Sequence, residues 1–312
     1  MIQGFHRSLL LAFSLLLLSG GWASGAADTG SETLRGRTTP YPSGSLPGRH
    51  GQADAAHEIE PTRSHRRAEA IAPVRLSAAE RVERLHHARS SVTEADFNAL
   101  TAYLDRGDSL PGLTVTGRHY LANEIWNVLR AEAKLAPRLA RHLAARASAD
   151  EDPVIRDYAL QHLAQMSDPA VSGIQVTALI AAAEPDNASA GTALIGLRTL
   201  YQRAPNAVLA ERLRERVAHL ATDPETNEST RITALSMSGD LGLDAVLPVA
   251  RTFAVDAQAS ARLRLAALRL IGTLGEPEDA AVLREHRHTL RAPFLITASR
   301  EAETRLLQRD RR

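Results

Sequence analysis

The sequence predicts an all-α fold, a right-handed α-solenoid of stacked antiparallel helix pairs with about five repeats, over residues 76–309. Three observations predict it. RLRLAALRLIGTLGEPEDAAVLREH, residues 262–286, holds two short Ala- and Leu-rich helical patterns joined by Gly275, Glu276 and Pro277. The string R-x-x-A-L begins at Arg156, Arg231 and Arg264, and a fourth copy begins with Ala190 where the others have Arg. Its alanines, Ala159, Ala193, Ala234 and Ala267, lie 34, 41 and 33 residues apart. No stretch shows the period-two alternation of a half-buried strand.

The elements follow in chain order. Residues 1–25 read as a signal peptide. His6 and Arg7 precede the apolar run of residues 9–18, and the small residues from Ala23 to Ala27 suit a signal peptidase. A run of about ten apolar residues is half the length a membrane-spanning helix needs, so no transmembrane anchor is expected in the mature chain. Residues 26–75 read as a disordered linker. They are rich in Gly, Pro, Ser and Thr, and such a segment buries too little apolar area to offset its ordering entropy. Folding is expected from residue 76. Ser77 and Glu80 match a capping box, and Val82 and Leu85 lie on that helix's apolar side. Thr93 is placed to cap a second helix carrying Phe97, Leu100, Tyr103 and Leu104, which Gly107 ends. A loop is expected over 108–117, then a third helix from about Arg118 that buries Trp126.

From residue 150 onward the repeats take over. Four residues before each Arg position stand Asp152, Asp186, Asn227 and Ser260, all residue types preferred at helix N-caps. Leu263, Ala267, Leu270, Ile271 and Leu274 follow i, i+4, i+7, i+8, i+11, one helix face. Pro277 suits the first turn of the helix that follows. One such pair cannot bury both its faces, and a stack of pairs can.

D-P-x-x-R-x-x-A-L at 152–160 and G-x-L-G at 272–275 resemble HEAT repeats, in particular the short bacterial, phycobilisome-lyase type. The resemblance covers residues 150–290 and extends more faintly to 118–149 and 292–309. It implies architecture and not a function. It also implies that the first-helix arginines Arg156, Arg231 and Arg264 pair with an acid of the adjacent repeat, a ladder that Ala190 interrupts. The same resemblance implies that second helices line the concave surface.

Composition excludes several chemistries. There is no Cys, hence no disulfide, no Cys-ligated zinc and no lipid-modified cysteine. The chain carries a formal net charge of +1, which argues against a polybasic nucleic-acid binder. Lys134 is the single lysine. The arginine bias reads either as genome composition or as recognition of carboxylate or phosphate by a planar fork of donors. His286, His288 and Glu285 are the nearest approach to a metal cluster. Residues two apart on a helix do not share a face, so no metal is expected, and adjacent His86 and His87 fail alike. No nucleophile elbow or phosphate loop is present. No catalytic residue and no cofactor is assigned. Asn187 and Asn227 sit in glycosylation triplets but are read as caps or turn formers.

The expected function is an exported helical-repeat scaffold that binds a protein partner in the periplasm or outside the cell, and not an enzyme. The alternatives are an enzyme or enzyme-accessory protein, or a purely structural envelope protein. The expected partner surface is a stripe of outward arginines, Arg212, Arg216, Arg251, Arg284 and Arg287, suited to carboxylates or phosphates.

Overall fold

Helix starts are set locally. Thr93 Oγ1 accepts the Asp96 N–H while the Asp96 carboxylate accepts the Thr93 N–H, and Ser77 and Glu80 exchange the same pair of bonds. These reciprocal bonds satisfy backbone donors that a helix leaves orphaned. The computed structural model describes residues 70–71, 76–87, 91–106, 112–150 and 152–309, all within one compact unit, Ile59–Arg312. The signal-peptide expectation, the linker expectation except for residues 70–71, and the helix stop at Gly107 lie outside the described residues.

Among the described residues there are thirteen α-helices and no strand. In order they are α1 Ala78–His87, α2 Glu94–Asp105, α3 Val115–Arg130, α4 Ala136–Ala149, α5 Pro153–Gln165, α6 Ser172–Ala182 and α7 Ala190–Arg203. Then come α8 Ala207–Thr222, α9 Glu228–Leu241, α10 Leu247–Val255, α11 Ala261–Leu274, α12 Asp279–His286 and α13 Pro293–Arg309. No helix among the described residues is long and apolar enough to cross a membrane.

The contacts alternate. Odd helices pack on odd helices in sequence, α1 on α3, α3 on α5, α5 on α7, α7 on α9, α9 on α11 and α11 on α13. Each even helix also packs on the odd helix after it, from α2 on α3 to α12 on α13. The R-x-x-A-L copies fall on α5, α7, α9 and α11. Ala159, Leu160, Ala193, Leu194, Ala234, Leu235 and Ala267 are fully buried and Leu268 nearly so, which is why the string recurs. One continuous core runs from Ile71 to Leu306.

Close approach of the odd helices depends on small residues. A Cβ on Gly272 would stand 2.9 Å from Ala302 Cα, so α11 and α13 touch backbone to backbone there. At Gly242, which ends α9, φ is +62°, the left-handed conformation that glycine adopts without a Cβ clash.

Four expectations are corrected. Ile71, assigned to the linker, is helical and fully buried, and its carbonyl accepts from Arg81 at 2.5 Å. The third helix begins at Val115, three residues earlier than expected, because Thr114 caps it by accepting the Gly117 N–H. Pro277 stands in the turn before α12, with Glu278 at the N-cap position. Asp186 is not a cap: α7 starts at Ala190 with Ser189 at its N-cap, and Asn187 closes the preceding turn by accepting the Ser189 N–H. Asp152, Asn227 and Ser260 do cap, accepting from Val154, Thr230 and Leu263.

Candidate functional site

The repeated arginines point to helix ends and not to acids. Arg156 donates to Asp150 O at 2.8 Å, where α4 ends. Arg231 donates to Asp223 O at 2.6 Å and Pro224 O at 3.1 Å, where α8 ends. Arg264 reaches Ala254 O at 3.4 Å, in the last turn of α10. The last carbonyls of a helix have no intrahelical donor and carry the negative end of its dipole. A guanidinium there satisfies both needs. The acidic ladder implied by the HEAT resemblance is therefore replaced by a ladder of arginine caps. Each links the start of one odd helix to the end of the even helix before it. α7 departs from this: the Arg position there is Ala190, the first residue of the helix and fully buried. Arg264 is 6% exposed, so Arg264→Met should cost about 1–2 kcal/mol, the range for a cation in a partly buried helix C-terminal site. Thermal denaturation measures it.

The same device recurs outside the repeat motif. Arg203 donates to Met166 O at 2.5 Å and Ala164 O at 3.2 Å, at the end of α5. Arg214 donates to Leu241 O at 2.5 Å, the last residue of α9, and Arg309 to Thr273 O near the end of α11. Sequence reasoning missed these three. Their acceptors are 27 to 39 residues away, and a backbone carbonyl leaves no trace in residue type.

The outward arginine stripe is largely occupied by the chain's own acids. Arg216 pairs with Glu184 at 2.6 Å. Arg251, expected to be unengaged, holds Asp279 through two bonds, Nε at 2.7 Å and a terminal nitrogen at 2.9 Å. Arg284, at 2.6 Å, and Arg287 both bind Glu303 on α13. Hydrogen bonding from Arg287 holds the Glu303 carboxyl below its ordinary range against the effect of burial, and Arg284 adds to it. Arg212 has only a loose partner, Glu215 at 3.7 Å on its own helix, with 55% of its side chain exposed. The other four arginines each reach an acid outside their own helix, so they fasten neighbouring segments and leave Arg212 as the most weakly paired cation of the five.

A cleft of about 410 Å³ opens where α2, α3, α4 and α5 meet. Its apolar wall includes Leu121, Ala122 and Ile155, and its polar rim carries Arg146, Asp150, His119 and Asp152. Arg146 binds Asp150 at 2.7 Å and also Asp105. His119 Nε2 lies 2.5 Å from Asp152 Oδ2. Burial pushes the Asp152 carboxyl up, but the His119 and Val154 hydrogen bonds together hold it below its ordinary value. Asp152 spends its other oxygen capping α5, and both oxygens of Asp150 accept bonds, from Arg146 and from the Asp152 N–H. The His119–Asp152 pair thus ties α3 to the start of α5. The sequence shows neither the pair nor the cleft, because the two residues are 33 apart.

Among the described residues no group of three or more His, Asp or Glu side chains could hold a metal ion. No protein family, no curated protein and no solved structure matches the chain.

Proposed function

We propose that this protein is an exported helical-repeat scaffold of the HEAT type. Its helix pairs stack as a right-handed α-solenoid and hold a protein partner in the periplasm or cell envelope. The observation that carries the reading is the unbroken succession of odd-on-odd helix contacts from α1 to α13, with the buried Ala-Leu of the recurring string on four successive members, α5, α7, α9 and α11. Nearest-neighbour stacking of this kind gives an extended surface and no deep central site. The polar groups support it too: the arginines and acids of the described chain are spent largely on helix ends and on neighbouring helices.

Within this reading Arg212 is the cation of the expected stripe best placed to meet an acidic partner. The test uses the full chain as bait against the envelope fraction, with intact-mass and crosslink mapping of whatever it holds. A single stoichiometric protein partner crosslinked to α8 is the expected result. Arg212→Glu should leave the thermal midpoint within the error of the parent and weaken capture, and capture should fall as salt screens the contact. Capture that is unchanged by Arg212→Glu and by salt removes the stripe as the partner surface. A chain that emerges with no protein partner removes the scaffold.

A further inference from the structure

Four rings form a continuous stack through the packing of α2 to α5. Phe97 of α2 meets His142 of α4 edge-on, with centroids 6.2 Å apart. His142 meets Trp126 of α3 at 6.3 Å, and Trp126 meets His162 of α5 at 5.7 Å. Trp126 and His162 are 1% and 4% exposed. Three nitrogens of these touching rings, Trp126 Nε1, His142 Nε2 and His162 Nδ1, are buried with no hydrogen-bond partner. Buried polar atoms are nearly always paired, so a cluster of three orphans calls for a reason.

The proton positions follow from the neighbours. His162 Nε2 lies 3.0 Å from Asn123 Oδ1. The amide nitrogen of Asn123 donates to Glu124, which orients the carboxamide so that its oxygen faces the ring. His162 Nε2 therefore donates, and Nδ1 carries a bare lone pair. A second proton would place an N–H where nothing accepts it and a charge where water does not reach.

We propose that this ring stack is an acid-sensitive latch: it holds α2 to α5 together while both imidazoles are neutral and releases them when either takes a proton. Burial, then the charge of Arg146, pushes His142 down to about 4 against the pull of Asp105. Burial, then Arg130, pushes His162 down to about 3.

The other charged groups near the stack do not cancel this. From α4, Arg138 sits over the Phe97 ring, 4.7 Å from its centroid. From α3, Glu124 faces His162 only through Asn123, and Arg130 is itself bonded to Gln165. α6 carries no titratable residue. The charged residues of α7 are Arg198, paired with Asp240, and Arg203, held on the α5 carbonyls. Asp157 of α5 is pushed up by burial against its Ser189 and Thr192 contacts, so its titration favours the folded form in acid and opposes the latch.

The sign follows from proton counting. Both imidazoles have folded values below the unfolded value of about 6.5, so the open form binds more protons and acid favours opening. The stabilisation is complete above about 6.5 and declines by about tenfold in the closing constant per imidazole for each pH unit below it. Down to about pH 5 the ordinary carboxylates stay largely charged, and the comparison with α9, α11 and α13 separates the latch from general acid unfolding below that.

The test is hydrogen exchange by mass spectrometry on the full chain carrying Trp22→Phe, so that Trp126 is the only tryptophan. From pH 6.5 to 4.5, with intrinsic rates corrected, protection in α2 to α5 should fall at least a hundredfold further than in α9, α11 and α13, and Trp126 emission should shift to the red in the same window. The double variant His142→Leu, His162→Leu should abolish the difference. Parallel loss in both halves overturns the latch, as does a double variant that keeps the parent's difference. Should the double variant not fold at pH 7, His142→Gln decides. It should reduce the difference by about tenfold per pH unit, and an unchanged slope overturns the proposal.

Discussion

Leu268→Ala should lower the stability of the chain by about 2–5 kcal/mol, the range for truncating a buried leucine, and reduce the thermal midpoint accordingly. Leu268 is 1% exposed and sits in the R-x-x-A-L string of α11. α11 packs on α9, α10 and α13. A cavity at that position removes contacts from a junction that a single helix pair does not possess. The matched control is Glu278→Ala. Glu278 is exposed at the start of α12 and makes no side-chain cap bond, so its loss should cost about half a kcal/mol or less. Equal midpoints for Leu268→Ala and the parent would show that the string does not mark the core.

Gly272→Leu should release α13 from α11 and lower stability by roughly 2–3 kcal/mol, the upper part of the range for overpacked sites. Even Gly272→Ala should destabilise. Alanine is the better helix former by about 1 kcal/mol, so a helix judged alone would gain from the change. Here the added Cβ would lie 3.0 Å from Ala302 Cβ and 2.9 Å from its Cα, and the backbone of α13 cannot rotate out of the way as a side-chain tip can. Ala302→Gly in the same chain should recover part of the loss, and a double-mutant cycle isolates the coupling. A stabilised Gly272→Ala chain would place α13 farther from α11 than the structure does.

Glycine 272 also shows where sequence reasoning stops. G-x-L-G at 272–275 is visible as a string and reads as the end of a helix. Gly275 is legible there as the helix stop, and only the packing reveals that Gly272 is a contact with α13. The arginines follow the same rule. Their recurrence at one place in the repeat was legible at Arg156, Arg231 and Arg264. Their targets are carbonyl oxygens, which every residue has, so no pattern of residue types could name them. Asp186 failed as a cap for a related reason: the residue type is right, but the turn closed by Asn187 delays α7 until Ala190.

The sequence by itself determined the class of structure. Apolar spacing, cap residues and the recurring R-x-x-A-L string depend on contacts within a few residues, where helical periodicity alone dictates which side chains share a face. The burial of Leu209, Leu213, Val217 and Leu220 on α8 follows from that periodicity and nothing else. The tertiary structure alone decided how charge is spent. Arg251 and Asp279 are 28 residues apart, and His119 and Asp152 are 33 apart. The rings of Phe97, Trp126, His142 and His162 come from four different helices. A hydrogen bond or ring contact requires atoms within a few ångströms, and over such separations only the stacking of one helix on another sets that distance.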